Sequence, residues 1–87
     1  MRRASKVDTN HARILRVFQQ AGCEVLDLHA VGSGCPDLLL LTRTDRMVFV
    51  EVKSPRGKLG AQQNAFRMRW PVQIVRSEAE ALALVGR

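Results

Sequence analysis

The chain of 87 residues contains 14 lysines and arginines against 8 aspartates and glutamates, a formal net charge of +6, and 46% of its residues are hydrophobic. This length predicts one small domain over residues 1–87 with enough apolar residues for a core, and the charge favours a polyanionic partner. No apolar run approaches the ~20 residues that a membrane-spanning helix requires, so we expect no membrane span.

The first residues and the cysteines bear on cellular location. Residues 1–6 are basic but have no apolar run behind them, so we expect a flexible basic arm rather than a secretory signal. Cys23 and Cys35 are the only cysteines, and without a His/Cys cluster at ligand spacing they do not predict a zinc site. We therefore expect reduced thiols and a cytoplasmic protein.

The hydrophobic pattern predicts a first helix over residues 8–21, with Asp8 or Thr9 as its N-cap. Asn10 and His11 fall on the apolar stripe of this helix, where polar side chains need hydrogen-bond partners. We expect these two side chains either to cap the helix or to face the functional site.

Four strands and two further helices are predicted after the first helix. The strands cover residues 24–29, at or near an edge of the sheet, then 37–43, 47–53 and 72–76; the helices cover 60–69 and a segment from a capping box at Ser77 to Gly86. The two central strands are almost continuously apolar, which predicts burial on both faces beneath helices. The order α-β-β-β-α-β-α indicates an α/β fold, a small mixed sheet flanked by helices.

The loop before the second strand is rich in glycine. Gly32 and Gly34 permit a close approach of the backbone to a phosphate, because glycine has no side chain in the way. A Gly-x-Gly that leads into a strand is not a dinucleotide-binding fingerprint. We therefore expect no dinucleotide at this loop.

Charged residues interrupt the two central strands. Asp37 stands at the start of the first, and Glu51 and Lys53, two residues apart, share one face of the second. A hairpin turn near Thr44 and Asp45 brings Asp37 beside Glu51 or within one residue of it. Two carboxylates and an ammonium in one place suit binding a divalent metal and attacking a phosphate. The alternative is a solvent-facing ion pair on a strand whose valines fill the core.

The charges of these side chains suggest their roles. Asp37, Glu51 and the backbone carbonyl of Val52 are the candidate ligands of one or two Mg²⁺ ions, with Mn²⁺ as a substitute. Lys53 is expected to orient the attacking water or to stabilise the transition state. Gln63 faces the sheet from the second predicted helix, where it either positions Lys53, contacts the phosphate, or is simply a hydrogen-bonded buried amide.

Basic residues near the two strands are the candidate contacts to phosphates of the polyanionic partner. Arg56 and Lys58 follow Lys53 in the next loop, and Arg43 and Arg46 flank the hairpin turn. A chain this short has little material for an element that reads bases. We therefore expect contacts to phosphates to dominate binding.

These motifs resemble those of the PD-(D/E)XK nuclease superfamily and, more closely, its VRR-NUC branch, which has small stand-alone members in bacteria and bacteriophages. The resemblance rests on Pro36-Asp37, Glu51-Val52-Lys53 and the trailing Gln63. It implies a restriction-endonuclease-like αβββαβ core. It also implies metal-dependent hydrolysis of DNA phosphodiester bonds, with Asp37, Glu51, Lys53 and Gln63 as the catalytic set.

The resemblance also suggests a substrate and an assembly. Stand-alone members are similar to Holliday junction resolvases, which implies a homodimer acting on branched DNA in a bacterial cell, with a phage as one source of the gene. The alternatives are a phage nickase or exonuclease with the same site, and a catalytically silent DNA-binding subunit. Family members often carry a metal-binding glutamate in the first helix; Asp8 is the candidate here, with Asn10 and His11 as alternatives.

Overall fold

The computed structural model describes residues 10–86, which form three helices and a four-stranded sheet. In chain order the elements are α1 (His11–Gln20), β1 (Glu24–Asp27), β2 (Leu38–Leu41), β3 (Met47–Val52), α2 (Ala61–Arg69), β4 (Val72–Val75) and α3 (Glu78–Val85). The predicted element order and the α/β fold class are confirmed. Within residues 10–86, no helix combines the length and the apolar character needed to cross a bilayer.

The sheet has the strand order β1-β2-β3-β4, so the prediction that β1 lies at or near an edge is confirmed. β1 and β2 pair antiparallel, as do β2 and β3, whereas β4 runs parallel to β3. Leu38 pairs with Val50, and the same register, continued by one residue, sets Asp37 opposite Glu51. The hairpin between β2 and β3 turns at Asp45, which has a left-handed φ of 63°. The predicted hairpin is therefore confirmed.

Three predicted element boundaries differ from the structure by two or three residues: the start of α1, the end of β1, and the end of β2, which lies at Leu41 rather than at residue 43. The N-cap of α1 is Asn10, so the helix starts later than expected; Asp8 and Thr9 lie outside the described residues, as does the arm over 1–6. β1 ends at Asp27 rather than at residue 29. The Oδ1 atom of Asp27 accepts a hydrogen bond from the His29 N–H at 2.9 Å, which turns the chain out of the strand.

The core fills one face of the sheet. α1 and α3 lie on this face, and their side chains pack against alternate residues of β2, β3 and β4 because successive strand residues point to opposite faces. Its fully buried members are Ile14, Phe18, Leu38, Leu40, Val50 and Ala81, with Val52 and Val75 almost fully buried. Removing a large aliphatic side chain from such a position costs about 2–5 kcal/mol.

The opposite face of the sheet is only partly covered. α2 lies there, and the ring of Phe49 packs edge-on against Phe66 at 5.5 Å and Trp70 at 6.1 Å between centroids. Leu26 and Met47, on the same face, remain 57% and 69% exposed. The predicted burial of the central strands on both faces is therefore wrong at this end, because nine helical residues span only about 13 Å.

Candidate active site

Asp37 connects the start of β2 to the end of β3. It follows the buried Pro36, and its Oδ2 atom accepts a hydrogen bond from the Val52 N–H at 2.9 Å. The N–H and C=O groups of one strand residue point to the same side of the strand. The carbonyl of Val52 therefore also faces the side of β3 on which Asp37 lies, and these two predicted metal ligands are neighbours.

Glu51 is buried, with 4% of its surface exposed, on the face of the sheet that α2 covers. Its Oε2 atom accepts a hydrogen bond from Gln63 Nε2 at 2.8 Å. The other end of the same amide, Oε1, accepts the N–H of Gly60 at 2.8 Å. Because a backbone N–H can only donate, the amide oxygen must face Gly60 and its NH₂ group must face Glu51.

The hydrogen bonds of Gln63 in the structure bear on two of its three interpretations. Gln63 is the hydrogen-bonded amide of the blander alternative, and its partner is Glu51 rather than Lys53. It fixes one oxygen of the Glu51 carboxylate while it satisfies the first turn of α2. Gln63 therefore links the start of α2 to the acid of β3.

Lys53 lies just past the end of β3, on the same side as Glu51. Its Nζ atom is 3.9 Å from Glu51 Oε2, and 17% of its side chain is exposed against 5% for Glu51. The alternative of a solvent-facing ion pair is therefore wrong for the acid. A carboxylate this deep requires compensation, and the ammonium of Lys53 and the amide of Gln63 both supply it.

The glycine-rich loop before β2 packs against α2. Gly32, Ser33 and Gly34 have successive left-handed φ values of 76°, 57° and 83°. A Cβ atom on Gly34 would lie 2.4 Å from the backbone oxygen of Gln62. The backbone of this loop therefore approaches α2 closely, next to Gln63. Sequence reasoning missed this role of Gly34, although the Gly-x-Gly pattern was its signal.

Cys35 reports on the electrostatics of the site. Burial raises the pKa of its thiol, and the negative charges of Glu51 and Asp37 raise that pKa further. Both carboxylates therefore lie close enough to act on one atom. A raised pKa keeps the thiol protonated, which argues against a role for Cys35 as a nucleophile.

The candidate ligands fit a hard divalent cation. The Val52 N–H engages only Oδ2 of Asp37, and Asp37, Glu51 and the Val52 carbonyl offer oxygen donors alone. Among residues 10–86, no three histidine, cysteine or acidic side chains are grouped as a metal site. One or two carboxylates with several retained waters suit Mg²⁺, whereas zinc requires more protein ligands.

The polar residues at the start of α1 have different partners from those that the sequence suggested. The side chain of Asn10, the N-cap residue of α1, makes no capping hydrogen bond to the helix; its Nδ2 atom donates instead to the carbonyls of Lys53 at 3.2 Å and Arg76 at 2.9 Å. Its buried Oδ1 atom has no partner among the described residues. His11 is half-buried at the start of the helix, and Asp8 lies outside the described residues. Asn10 therefore ties α1 to the ends of β3 and β4.

The candidate DNA contacts fall at the two ends of the sheet. Arg56 and Lys58 are exposed in the loop after Lys53, at the end that holds the carboxylates. Arg43 and Arg46 are exposed in the hairpin at the opposite end of β2 and β3. Arg43 and Arg46 therefore lie away from the carboxylates, whereas Arg56 and Lys58 lie at the same end of the sheet as the carboxylates.

Replacing Gly34 tests the contact between the loop and α2. Gly32→Ala introduces left-handed strain alone, because nothing lies within 4 Å of its new Cβ, and we expect it to lower the free energy of unfolding by about 1–2 kcal/mol. Gly34→Ala adds overlap with backbone, so we expect a further loss of about 1–3 kcal/mol in urea unfolding. Equal losses for the two variants would contradict the contact.

Comparison with known proteins agrees with this geometry. A sequence model described as the VRR-NUC domain matches residues 4–78. A solved structure titled "VRR_NUC domain" matches with a TM-score of 0.68 and 25% identity, covering 92% of this chain and 98% of that one. The search of curated proteins finds no match. The chain therefore belongs to the VRR-NUC domain family of PD-(D/E)XK-type nuclease domains, and this membership implies a DNA nuclease.

Proposed function

We propose that this protein is a metal-dependent endonuclease that hydrolyses phosphodiester bonds in branched DNA, as a homodimer similar to Holliday junction resolvases. The observation that carries the proposal is the meeting of three charged groups at one end of the sheet. Asp37 binds the backbone of β3, Glu51 lies opposite it in register, and Lys53 is 3.9 Å from Glu51. Family membership independently supports nuclease chemistry.

Asp37, Glu51 and the carbonyl of Val52 are the proposed ligands of Mg²⁺, with Mn²⁺ as a substitute and Asp8 as a further ligand. When bound, such an ion neutralises charge on the phosphate and lowers the pKa of a coordinated water. The Gln63 hydrogen bond keeps the Glu51 carboxylate from rotating. Because the carboxylate is already ordered, metal binding does not have to include the free-energy cost of ordering it.

Lys53 is proposed to act on the phosphate or on the attacking water. Its side chain is 17% exposed against 5% for that of Glu51, so Lys53 is the more accessible member of the pair. A fixed positive charge in a partly dry site stabilises the negative charge that develops on phosphate oxygens during hydrolysis.

The proposed DNA contacts begin with Arg56 and Lys58, which are exposed in the loop that directly follows Lys53. The net charge of +6 supports binding to a phosphate backbone. Arg43 and Arg46 lie farther along the sheet, and we propose them as contacts to an outer part of a branched substrate.

The proposed homodimer rests on the size of the domain and on its incompletely covered sheet. Leu26, Leu41 and Met47 form an exposed apolar surface on the face that α2 leaves open. Contiguous apolar surface on a small domain is often an interface. A dimer would supply the two sites that paired cuts in a junction require. The two free thiols support a reducing compartment, and we infer the cytoplasm of a bacterial cell, with the gene carried by the cell or a phage.

Cleavage assays test the proposed activity. Labelled four-way junction, flap, single-stranded and duplex DNA are incubated with Mg²⁺, Mn²⁺ or EDTA, using the unaltered protein, Glu51→Gln, Lys53→Ala and the control Glu24→Gln on the exposed edge strand. We expect paired, metal-dependent cuts in the junction. Glu51→Gln and Lys53→Ala should each slow cleavage by about 100-fold or more, because the first weakens metal binding and the second removes a positive charge beside the phosphate.

The other outcomes of this assay separate the alternatives. Metal-dependent cutting of flap or linear DNA alone would support a nickase or exonuclease and reject the junction assignment. Binding without cleavage of any substrate, unchanged in Glu51→Gln and Lys53→Ala, would instead indicate a catalytically silent DNA-binding subunit.

Gln63→Glu tests the role of the amide between α2 and β3. A glutamate can still accept the Gly60 N–H, but it replaces the donor to Glu51 with a second negative charge. We expect cleavage to slow about 10- to 100-fold and to need more Mg²⁺ for half-maximal rate. Gln62→Glu, which makes the same charge change at an exposed neighbouring position, is the control. Equal effects of the two variants would reject the specific role of Gln63.

A further inference from the structure

Arg76, the residue directly after β4, has its guanidinium bound within the protein. Its Nη1 atom donates to the carbonyl of Ser54 at 2.8 Å and to the carbonyl of Gly57 at 2.7 Å. A guanidinium nitrogen carries two hydrogens in a fixed plane, so both hydrogens of Nη1 are used. In a basic chain with a nucleic-acid substrate, an arginine near the site would ordinarily be expected to bind a phosphate. Arg76 instead binds backbone carbonyls of the protein itself.

The two carbonyls belong to a single tight turn. The N–H of Gly57 donates to the carbonyl of Ser54 at 3.0 Å, which closes the turn over four residues. Pro55 occupies its second position, where a fixed φ suits the turn. Arg76 therefore binds both ends of the segment that begins one residue after Lys53.

The side chain of Lys53 lies next to this turn. A Cβ atom on Gly57 would lie 3.3 Å from Cδ of Lys53 and 3.1 Å from Oγ of Ser54. Because Gly57 has no Cβ, the aliphatic part of Lys53 can lie against the turn. From there its ammonium reaches to 3.9 Å from Glu51. The turn therefore forms one wall of the space that the Lys53 side chain occupies.

Three hydrogen bonds fix the backbone at Arg76 and at the residue before it. Its N–H donates to Glu80 Oε1 at 2.6 Å, and its carbonyl accepts a hydrogen bond from Asn10 at 2.9 Å. The preceding residue, Val75, accepts the Lys53 N–H at 3.0 Å. Arg76 thus starts from a fixed backbone that is joined to the backbone of Lys53. A short path of fixed groups runs from β4 through the guanidinium and the turn back to Lys53.

We propose that Arg76 is a positioning residue for Lys53. Its guanidinium fixes the Ser54–Gly57 turn, and the turn confines the Lys53 side chain so that the ammonium stays beside Glu51. The catalytic consequence rests on the proposed function, whereas the effect on the Lys53 side chain does not. Sequence reasoning missed this role because Arg76 is separated from Ser54 by a whole helix and strand.

The side chain of Lys53 can be observed directly. The chain contains three lysines, Lys6, Lys53 and Lys58, so protein labelled with ¹³C at lysine Cε gives three NMR signals, and Lys53→Ala identifies the signal of Lys53. In the unaltered protein we expect its two Hε protons to be inequivalent, as in a confined side chain. Arg76→Gln should merge these protons and narrow the signal, with the signal of Lys58 unchanged.

Two further variants complete the NMR test. Arg16→Gln removes the same charge from the exposed side of α1 and should leave the Lys53 signal unchanged. Gly57→Ala keeps Arg76 and the turn but places a methyl group against Lys53 Cδ, and it should shift the Lys53 signal even if Arg76→Gln unfolds. An unaltered Lys53 signal in Gly57→Ala and in folded Arg76→Gln would overturn the proposal.

Single-turnover cleavage of four-way junction DNA in Mg²⁺ tests the catalytic consequence. Arg76→Lys keeps the positive charge but loses the planar fork, so we expect the rate constant to fall about 10- to 100-fold with little change in DNA affinity. Weaker DNA binding at an unchanged rate constant would mean that Arg76 contacts phosphate, and would overturn the proposal. If no variant cleaves DNA but the Lys53 signal responds as expected, the proposed function fails and the positioning role stands.

Discussion

A buried carboxylate is the group on which the arrangement of this domain depends. Glu51 is 4% exposed, and an ion at such depth costs several kcal/mol unless neighbouring groups compensate for its lost hydration. The amide of Gln63 and the ammonium of Lys53 provide that compensation. Gln63 can reach Glu51 only if α2 lies close to the sheet. The glycine-rich loop before β2 packs against α2, and this close approach requires a residue without Cβ at Gly34. Packing of α2 on this face and the geometry of the site therefore depend on each other.

The two faces of the sheet differ in what holds them. The face toward α1 and α3 is held by a continuous apolar core, whereas no residue of α2 is buried. α2 is attached by the rings of Phe66 and Trp70 against Phe49 and by the polar link from Gln63. An element with few buried apolar side chains opens at low free energy. A ligand that binds only the closed arrangement would stabilise it, so occupancy of the site and attachment of α2 should be linked.

Much of the fold and the central acid pair could be predicted because both depend on local signals. The hairpin turn at Asp45 fixes the register of β2 and β3, and the register fixes Asp37 opposite Glu51. The partners of Asn10 and Gln63 could not be predicted, because an amide can donate or accept and its partner is set by distant segments. How much of the face opposite the core is covered depends on the length and placement of α2. The apolar pattern of the strands does not indicate either.

A Mn²⁺ titration followed by electron paramagnetic resonance tests whether Asp37 and Glu51 form one divalent-cation site. We expect saturable binding that is lost in Asp37→Asn and retained in Asp45→Asn, a matched change in the hairpin at the far end of β2 and β3. Equal Mn²⁺ binding by the unaltered protein and both variants, or saturable binding by none of them, would show that the two carboxylates do not form such a site.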